Sequence, residues 1–265
     1  MPNRGGRHKV STTARVKSSP RRVGVARALS KLGIASRSIA AQWVREGRVS
    51  VNGKVVHDPE SPVKLEQDRF YVDDQPVRAE EKRYVMLNKP RGLVTSARDE
   101  QGRATVYSCF DDRQDHWLAP VGRLDKASEG LLLFTNDTSW ANRLLDPASH
   151  LPKMYHVQID RLADDALLDR MRVGVLLEDG PLIRVSDAQI LRSGEKNSWL
   201  EITLLEGKNR HIRRLLEAFN TKVLRLVRVA VGPVKLGDLA KGRSRALSAG
   251  ELKAVAEALG DKAAR

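Results

Sequence analysis

One carboxylate stands out by its position. In Val121-Gly122-Arg123-Leu124-Asp125-Lys126-Ala127-Ser128-Glu129-Gly130-Leu131-Leu132-Leu133-Phe134-Thr135-Asn136-Asp137, Asp125 precedes the most apolar short run of a polar chain. Leu131 to Thr135 reads as a buried strand, because it is a continuous apolar run of strand length bounded by Gly130 and the Asn136-Asp137 turn pair. Asp125 then sits on a loop at the mouth of a core strand, where an ionised carboxylate can attack a carbon or assist removal of a proton. Taken alone, Gly122-Arg123-Leu124-Asp125 reads as a surface turn with a local ion pair.

Few other groups compete for a chemical role. The only cysteine, Cys109, excludes an intrachain disulfide, fits a reducing compartment, and reads as a small core residue. The six histidines are scattered, with none at metal-ligand spacing from another or from the cysteine, so no metal is expected. Neither Gly-x-Gly-x-x-Gly nor a phosphate-loop Gly-x-x-x-x-Gly-Lys occurs, so no cofactor is expected and any chemistry comes from side chains alone.

The chain has 265 residues and a net charge of +14, enough length for two domains and a field that favours a polyanionic partner. No apolar run approaches the ~20 residues of a spanning helix, which argues against a membrane partner and for a cytoplasmic protein. Residues 1–22 carry Arg4, Arg7, Lys9, Arg15, Lys17, Arg21 and Arg22 with no acid, the composition of a disordered basic tail.

The elements that must position Asp125 follow from spacing. Val25, Ala28, Leu29 and Leu32 form one helical face closed by Gly33, and a second helix fits Ser38 to Glu46 with Ile39 and Trp43 inward. Arg48 to Val56 reads as two short strands joined by the Asn52-Gly53 turn. Arg27, Lys31, Arg37, Arg45, Arg48 and Lys54 decorate these elements together, which suggests a phosphate-binding surface. Tyr84 to Leu87 is a strand entering a turn at Pro90 and Gly92, which taken alone reads as an ordinary hairpin. Asp137 or Thr138 caps a short helix over Trp140 to Leu145. Tyr155, Val157 and Ile159 share one face of a strand, the usual setting of a core tyrosine. Helix Asp164–Met171 precedes strands Leu182–Ile190 and Ser198–Leu205. Ile212, Leu215, Leu216 and Phe219 mark a strongly amphipathic helix whose arginines are expected to face solvent. Val223–Val231 is the last long strand, with Arg225 and Arg228 facing RNA or water. Ser248 and Glu251 form the capping box of a final helix, expected to dock on the domain as structure only.

Several of these stretches together resemble a known family. The run around Asp125 resembles the active-site motif of the pseudouridine synthases. Its Gly-Leu-Leu-Leu-Phe-Thr-Asn-Asp ending is similar to the branch that modifies ribosomal RNA, the large-subunit enzymes more than the small-subunit one. Asn88-Lys89-Pro90-Arg91-Gly92, Lys153-Met154-Tyr155 and Gly207 to Arg214 match further motifs of that family. The runs Ala28 to Arg37 and Gly47 to Gly53 resemble the alpha-L, or S4-type, RNA-binding motif.

The resemblance implies an α+β fold. A small S4-like domain over residues 23–78 and a linker at 79–83 would precede a catalytic domain at 84–260 with a mixed, mainly antiparallel sheet flanked by helices, and a tail at 261–265. It implies isomerisation of a uridine to pseudouridine in ribosomal RNA or a pre-ribosomal particle by a monomer. Asp125 would be the catalytic aspartate, Tyr155 the ring against the base, Arg213 a guanidinium paired with Asp125, and Leu226 the apolar wall of the pocket. Arg123, Lys89 and Arg91 would join the basic surface of the first domain in binding RNA. Arg210-His211 departs from relatives that carry a polar residue followed by glutamine. The rival reading is a ribosome-assembly protein that binds RNA without catalysis.

Overall fold

A computed structural model describes residues 22–97, 99–110, 117–177, 180 and 182–260. The expected basic tail through Arg21 and the last five residues lie outside them. Arg22 already pairs with Lys64, so the first strand begins one residue earlier than the expected domain start.

The N-terminal unit is built on two short helices, α1 (Val25–Lys31) and α2 (Arg37–Arg45). Ser36 caps α2 by accepting the Ile39 N–H, so the helix starts at Arg37, one position ahead of the expected Ser38. Strand β1 (Arg22–Gly24) precedes α1; β2 (Val49–Val51), β3 (Lys54–Val55), β4 (Pro62–Lys64), β5 (Phe70–Val72) and β6 (Gln75–Pro76) follow α2. The β2–β3 turn is made by Asn52 and Gly53, both at positive φ (51° and 82°), as a two-residue hairpin requires. Val25, Leu29, Ala40, Val44, Val49 and Phe70 form a separate core.

A nine-stranded sheet makes the second unit. In chain order its strands are β7 (Tyr84–Lys89), β8 (Ala119–Pro120), β9 (Glu129–Thr135), β10 (Lys153–Ile159), β13 (Asp187–Ser193), β14 (Ser198–Leu204), β15 (Val223–Val231), β16 (Val234–Lys235) and β17 (Ser244–Ala246). A separate ribbon pairs β11 (Val175–Leu176) with β12 (Leu182–Ile183). The expected strand Leu182–Ile190 is therefore two strands: β12 turns back onto β11, and the chain re-enters the sheet at Asp187. The sheet order is β13-β14-β10-β15-β9-β7-β17, and only β15 with β9 is parallel.

Strand β9 is central, which explains its unbroken apolar run. Leu132 and Phe134 enter a core with α4 (Asp165–Val173) and α5 (His211–Ala218), whereas Leu131 and Leu133 pack on the opposite face with α3 (Thr138–Leu145) and α6 (Ala249–Ala258). A strand covered on both faces has no polar side to alternate. Gly130, at φ +101°, lies where a Cβ would collide with the Arg228 carbonyl, so the close β9–β15 parallel pairing depends on glycine there. The Ser248–Glu251 capping box forms at the start of α6, whose Val255 is fully buried.

The segment expected as a linker is docked along the end of β9. Asn136 accepts the Arg83 N–H at 2.8 Å and donates to the Glu81 carbonyl at 2.9 Å, while Glu80 N–H bonds the Leu32 carbonyl at the end of α1. Asp137 caps α3 and meets Lys82 at 2.7 Å and the Tyr84 hydroxyl at 3.0 Å.

Candidate active site

Asp125 lies on the loop entering β9, and five successive carbonyls of that loop are held. The Thr95 hydroxyl donates to the Leu124 carbonyl at 2.8 Å. Lys89 Nζ donates to the carbonyls of Asp125 at 3.2 Å and Ser128 at 2.9 Å, and the Gly92 N–H donates to that of Lys126 at 2.8 Å. Arg213 Nη2 donates to the Ala127 carbonyl at 3.1 Å. A loop fixed at each peptide holds its carboxylate without the reordering that a free loop would need.

Beside the loop is a cleft of about 360 Å³ lined by Asp125, Tyr155, Arg213 and Leu226, so the four residues expected to carry the chemistry converge from four different segments. Tyr155 and Leu226 come from the adjacent strands β10 and β15, and a bulge between Met154 and Tyr155 shifts the register there. Such a bulge re-aims a side chain beside a site. The Tyr155 ring belongs to the core, as its position in the strand suggests, and also forms the cleft wall. Arg123, Lys153, Lys208, Arg210 and Arg228 complete a basic lining. Burial and the nearby Arg228 charge hold the Lys153 amine below its ordinary range. Lys208 and Arg210 lie in the matched Gly207 to Arg214 stretch without being expected at the cleft, because neither helical spacing nor the motif's arginine pair marks them. Arg228 is only 7% exposed, with Nε bonded to the Leu131 carbonyl at 2.7 Å, so it braces the sheet at the cleft wall.

Four expectations need correction. Lys89 is fully buried and is unable to hold RNA phosphates; its ammonium clamps the Asp125 loop instead. Burial pushes that amine down to about 8, against the pull of Asp125, Cys109 and Glu129. Arg213 does not pair directly with Asp125: its guanidinium bonds the carbonyls of Ala127 and Val223, and no ion pair to Asp125 within 4.0 Å forms among the described residues. Desolvation lowers the Arg213 proton affinity, and Asp125 is near enough to raise it. Of the two arginines of β15, Arg228 is buried and faces neither RNA nor water, whereas Arg225 keeps its side chain 38% exposed while forming a two-point bond with buried Glu129 at 2.8 and 3.1 Å, which Lys241 also meets at 2.5 Å. Arg48 is likewise engaged, bonded at two points to Asp73 with its guanidinium over the Trp43 ring.

The remaining cations expected at the RNA surface are exposed. Arg27, Lys31 and Arg37 line one depression with Arg22, although Arg37 also meets Glu60 at 2.8 Å. Arg45 lies on α2 outside it, and Arg91 is exposed close enough to Arg213 to lower its proton affinity. No cluster of three metal-ligating side chains occurs among the described residues, and none of their helices is long and apolar enough to cross a membrane.

This geometry accompanies a clear kinship. Residues 83–218 match the model of the RNA pseudouridylate synthase family, and residues 25–70 that of the S4 domain. The chain is 43% identical over 235 residues to an uncharacterized RNA pseudouridine synthase of Aquifex aeolicus, covering 88% of this chain and 94% of that one. It belongs to the RNA pseudouridine synthase family.

This synthase is also 38% identical to ribosomal large subunit pseudouridine synthase B of Pseudomonas aeruginosa, over 88% of its length and 62% of that relative's. The protein of the same name from Bacillus subtilis is 36% identical, over 85% and 92%. A crystal structure of a pseudouridylate synthase superposes with a TM-score of 0.62 at 29% identity, covering 88% of this chain and 99% of that one. Membership decides against the non-catalytic reading, and the S4 module followed by a mixed-sheet synthase domain is the architecture the motifs implied.

Proposed function

We propose that this synthase, acting as a monomer, isomerises a uridine of large-subunit ribosomal RNA, free or in a pre-ribosomal particle, with Asp125 as the catalytic carboxylate. The observation that carries the reading is the convergence of Asp125, Tyr155 and Leu226 in one cleft beside a loop held at five carbonyls. Two relatives bearing the large-subunit name support the choice of RNA.

The reaction breaks the bond from the sugar to uracil N1, turns the freed base and rejoins it through C5; the proton lost from C5 is matched by one gained at N1, with no net redox change. The target nucleotide leaves its stack to reach the carboxylate, at a cost of a few kcal/mol that stacking on Tyr155 and phosphate contacts offset. Leu226 closes the apolar side. Arg27, Lys31, Arg37, Arg45, Arg91 and Arg123 hold phosphates, with boundaries at 23–78 for the RNA-binding domain and 84–260 for catalysis. Lys89 and Arg213 fix the loop from beneath.

Pseudouridine in both ribosomal RNAs of cells lacking this protein is mapped by carbodiimide-blocked primer extension. One large-subunit stop disappears and returns with the wild-type gene but not with Asp125→Asn. An unaltered set of stops overturns the reading.

A further inference from the structure

Thr135, Asn136 and Asp137 close the run that begins before Asp125, yet none of them lines the cleft, and all three are buried. Their side chains are spent on the segment that joins the two units. The Thr135 hydroxyl donates to the Arg83 carbonyl at 2.6 Å, and Asn136 takes the Arg83 N–H with its oxygen and the Glu81 carbonyl with its amide. Asp137 takes Lys82 and the Tyr84 hydroxyl.

Bonds that only finished a strand end would stop at that segment, but these reach the first unit. The Glu80 N–H bonds the Leu32 carbonyl at 2.9 Å, at the end of α1. The turn that follows α1 lies so close to the same asparagine that a Cβ on Gly33 would come within 3.1 Å of Asn136 Nδ2 and 3.2 Å of the Glu80 Cβ. Asn136 therefore touches the end of β9, the connecting segment and the turn of the S4 domain at once.

This junction sets a distance. Helix α1 carries the exposed Arg27 and Lys31, while the other end of β9 begins just after the Asp125 loop. Covered on both faces, the seven residues of β9 form a stiff rod of about 20 Å between that loop and the junction. As a free chain, a connection of five residues would let its ends scatter over about 12 Å, several nucleotide steps of ~3.4 Å along a strand. Held as it is, it leaves one span.

We infer that Thr135, Asn136 and Asp137 latch the S4 domain to β9 and so decide which uridine, measured from the RNA held on α1, reaches Asp125. They are positioning residues that set the site of modification. The inference rests on the function proposed above.

Two variants release the latch from opposite sides. Asn136→Ala removes its centre, and Glu80→Pro deletes the N–H that bonds the Leu32 carbonyl without touching β9. Hydrogen exchange at the Glu80 amide reads the latch whatever the activity. It is slow in the wild type and faster by at least ~10-fold in Asn136→Ala. Free exchange in the wild type, or unchanged exchange in Asn136→Ala, overturns the latch.

The choice of uridine is read by single-turnover assays on a ribosomal RNA transcript carrying the uridine mapped above, and on transcripts in which it is moved a few positions to either side, with thermal melts as folding controls. The wild type converts the mapped position alone. At sub-saturating enzyme both variants lose on the order of 10-fold there, but at saturating enzyme they stay within about 3-fold of the wild-type rate, and they also convert displaced uridines. A variant merely damaged in folding loses active molecules and keeps its choice of uridine. Strict adherence to the mapped position in both variants overturns the inference, and should Asn136→Ala fail to fold, Glu80→Pro decides alone. If the wild type converts none of these uridines, the proposed function has failed, and exchange at the Glu80 amide still decides the latch.

Discussion

Lys89 Nζ donates to the main-chain carbonyl of Asp125 at 3.2 Å, so the lysine holds the loop that bears the carboxylate. An ammonium has three N–H groups for the carbonyls of Pro90, Asp125 and Ser128, whereas the neutral amine has two. The folded value of about 8 lies below the ordinary 10.5, so between these pH values the unfolded chain binds more protons than the native one. Stability contributed by this group therefore rises with pH across that window, while the grip on the loop weakens. Single-turnover rates should fall above pH 8 as Lys89 deprotonates. Lys89→Met should be slow at every pH and lack the rise in urea midpoint from pH 8 to 10.5. A midpoint with the same pH slope in both proteins contradicts this.

Asp125→Asn removes the charge without adding bulk. Single-turnover conversion should drop by at least ~10³, about 4 kcal/mol of barrier. RNA affinity should hold, because most of it comes from phosphate contacts. Since Arg213 bonds carbonyls and not this carboxylate, the substitution strands no guanidinium, and the melting temperature should move little. Residual activity above about a tenth of wild type would remove Asp125 from the mechanism.

Arg213→Lys keeps a charge but not a fork long and wide enough for the carbonyls of Ala127 and Val223. Turnover should fall with a stability loss of about 1–3 kcal/mol, read by urea titration. Arg214→Ala, on the same helix, should be mild in both assays. Equal losses in the two variants would assign the effect to the helix as a whole.

Buried Glu129 is bonded by Arg225 and Lys241, which hold its carboxyl below the ordinary carboxylate range against desolvation. A depressed carboxyl contributes stability above its unfolded value, and that contribution is lost as pH falls through the folded one. Glu129→Gln should cost about 1–3 kcal/mol at neutral pH and show a shallower loss of stability on acidification below pH 4.5. Parallel acid titrations of wild type and variant would refute the assignment.

Charge removal on the first domain should separate phosphate ligands from structural arginines. Replacing Arg27, Lys31 and Arg37 together by Ala should reduce the slope of log affinity against log salt by about 2, at ~0.7 per single-strand phosphate contact. Arg48→Ala should leave the slope nearly unchanged and lower stability, because its guanidinium is spent on Asp73. Filter binding across a salt series checks both, and an equal effect of Arg48 would return it to the RNA surface.

The local pattern of the chain determined the elements, and the resemblance of its motifs to the synthase family pointed to the cleft residues. Period-2 spacing placed Tyr155, Val157 and Ile159 inward, the capping box located α6, and the Asn52-Gly53 pair fixed a hairpin, because each signal is shared between residues close in sequence. Tertiary structure alone decided where the long cationic side chains went. Lys89 reaches a carbonyl 36 residues away and Arg213 one 86 residues away, while Arg48 turns to Asp73 and Arg225 to Glu129. A lysine or arginine stem has several rotatable bonds and no periodicity of its own. Whether its charge meets phosphate, carbonyl or carboxylate depends on which distant segment the sheet order brings beside it.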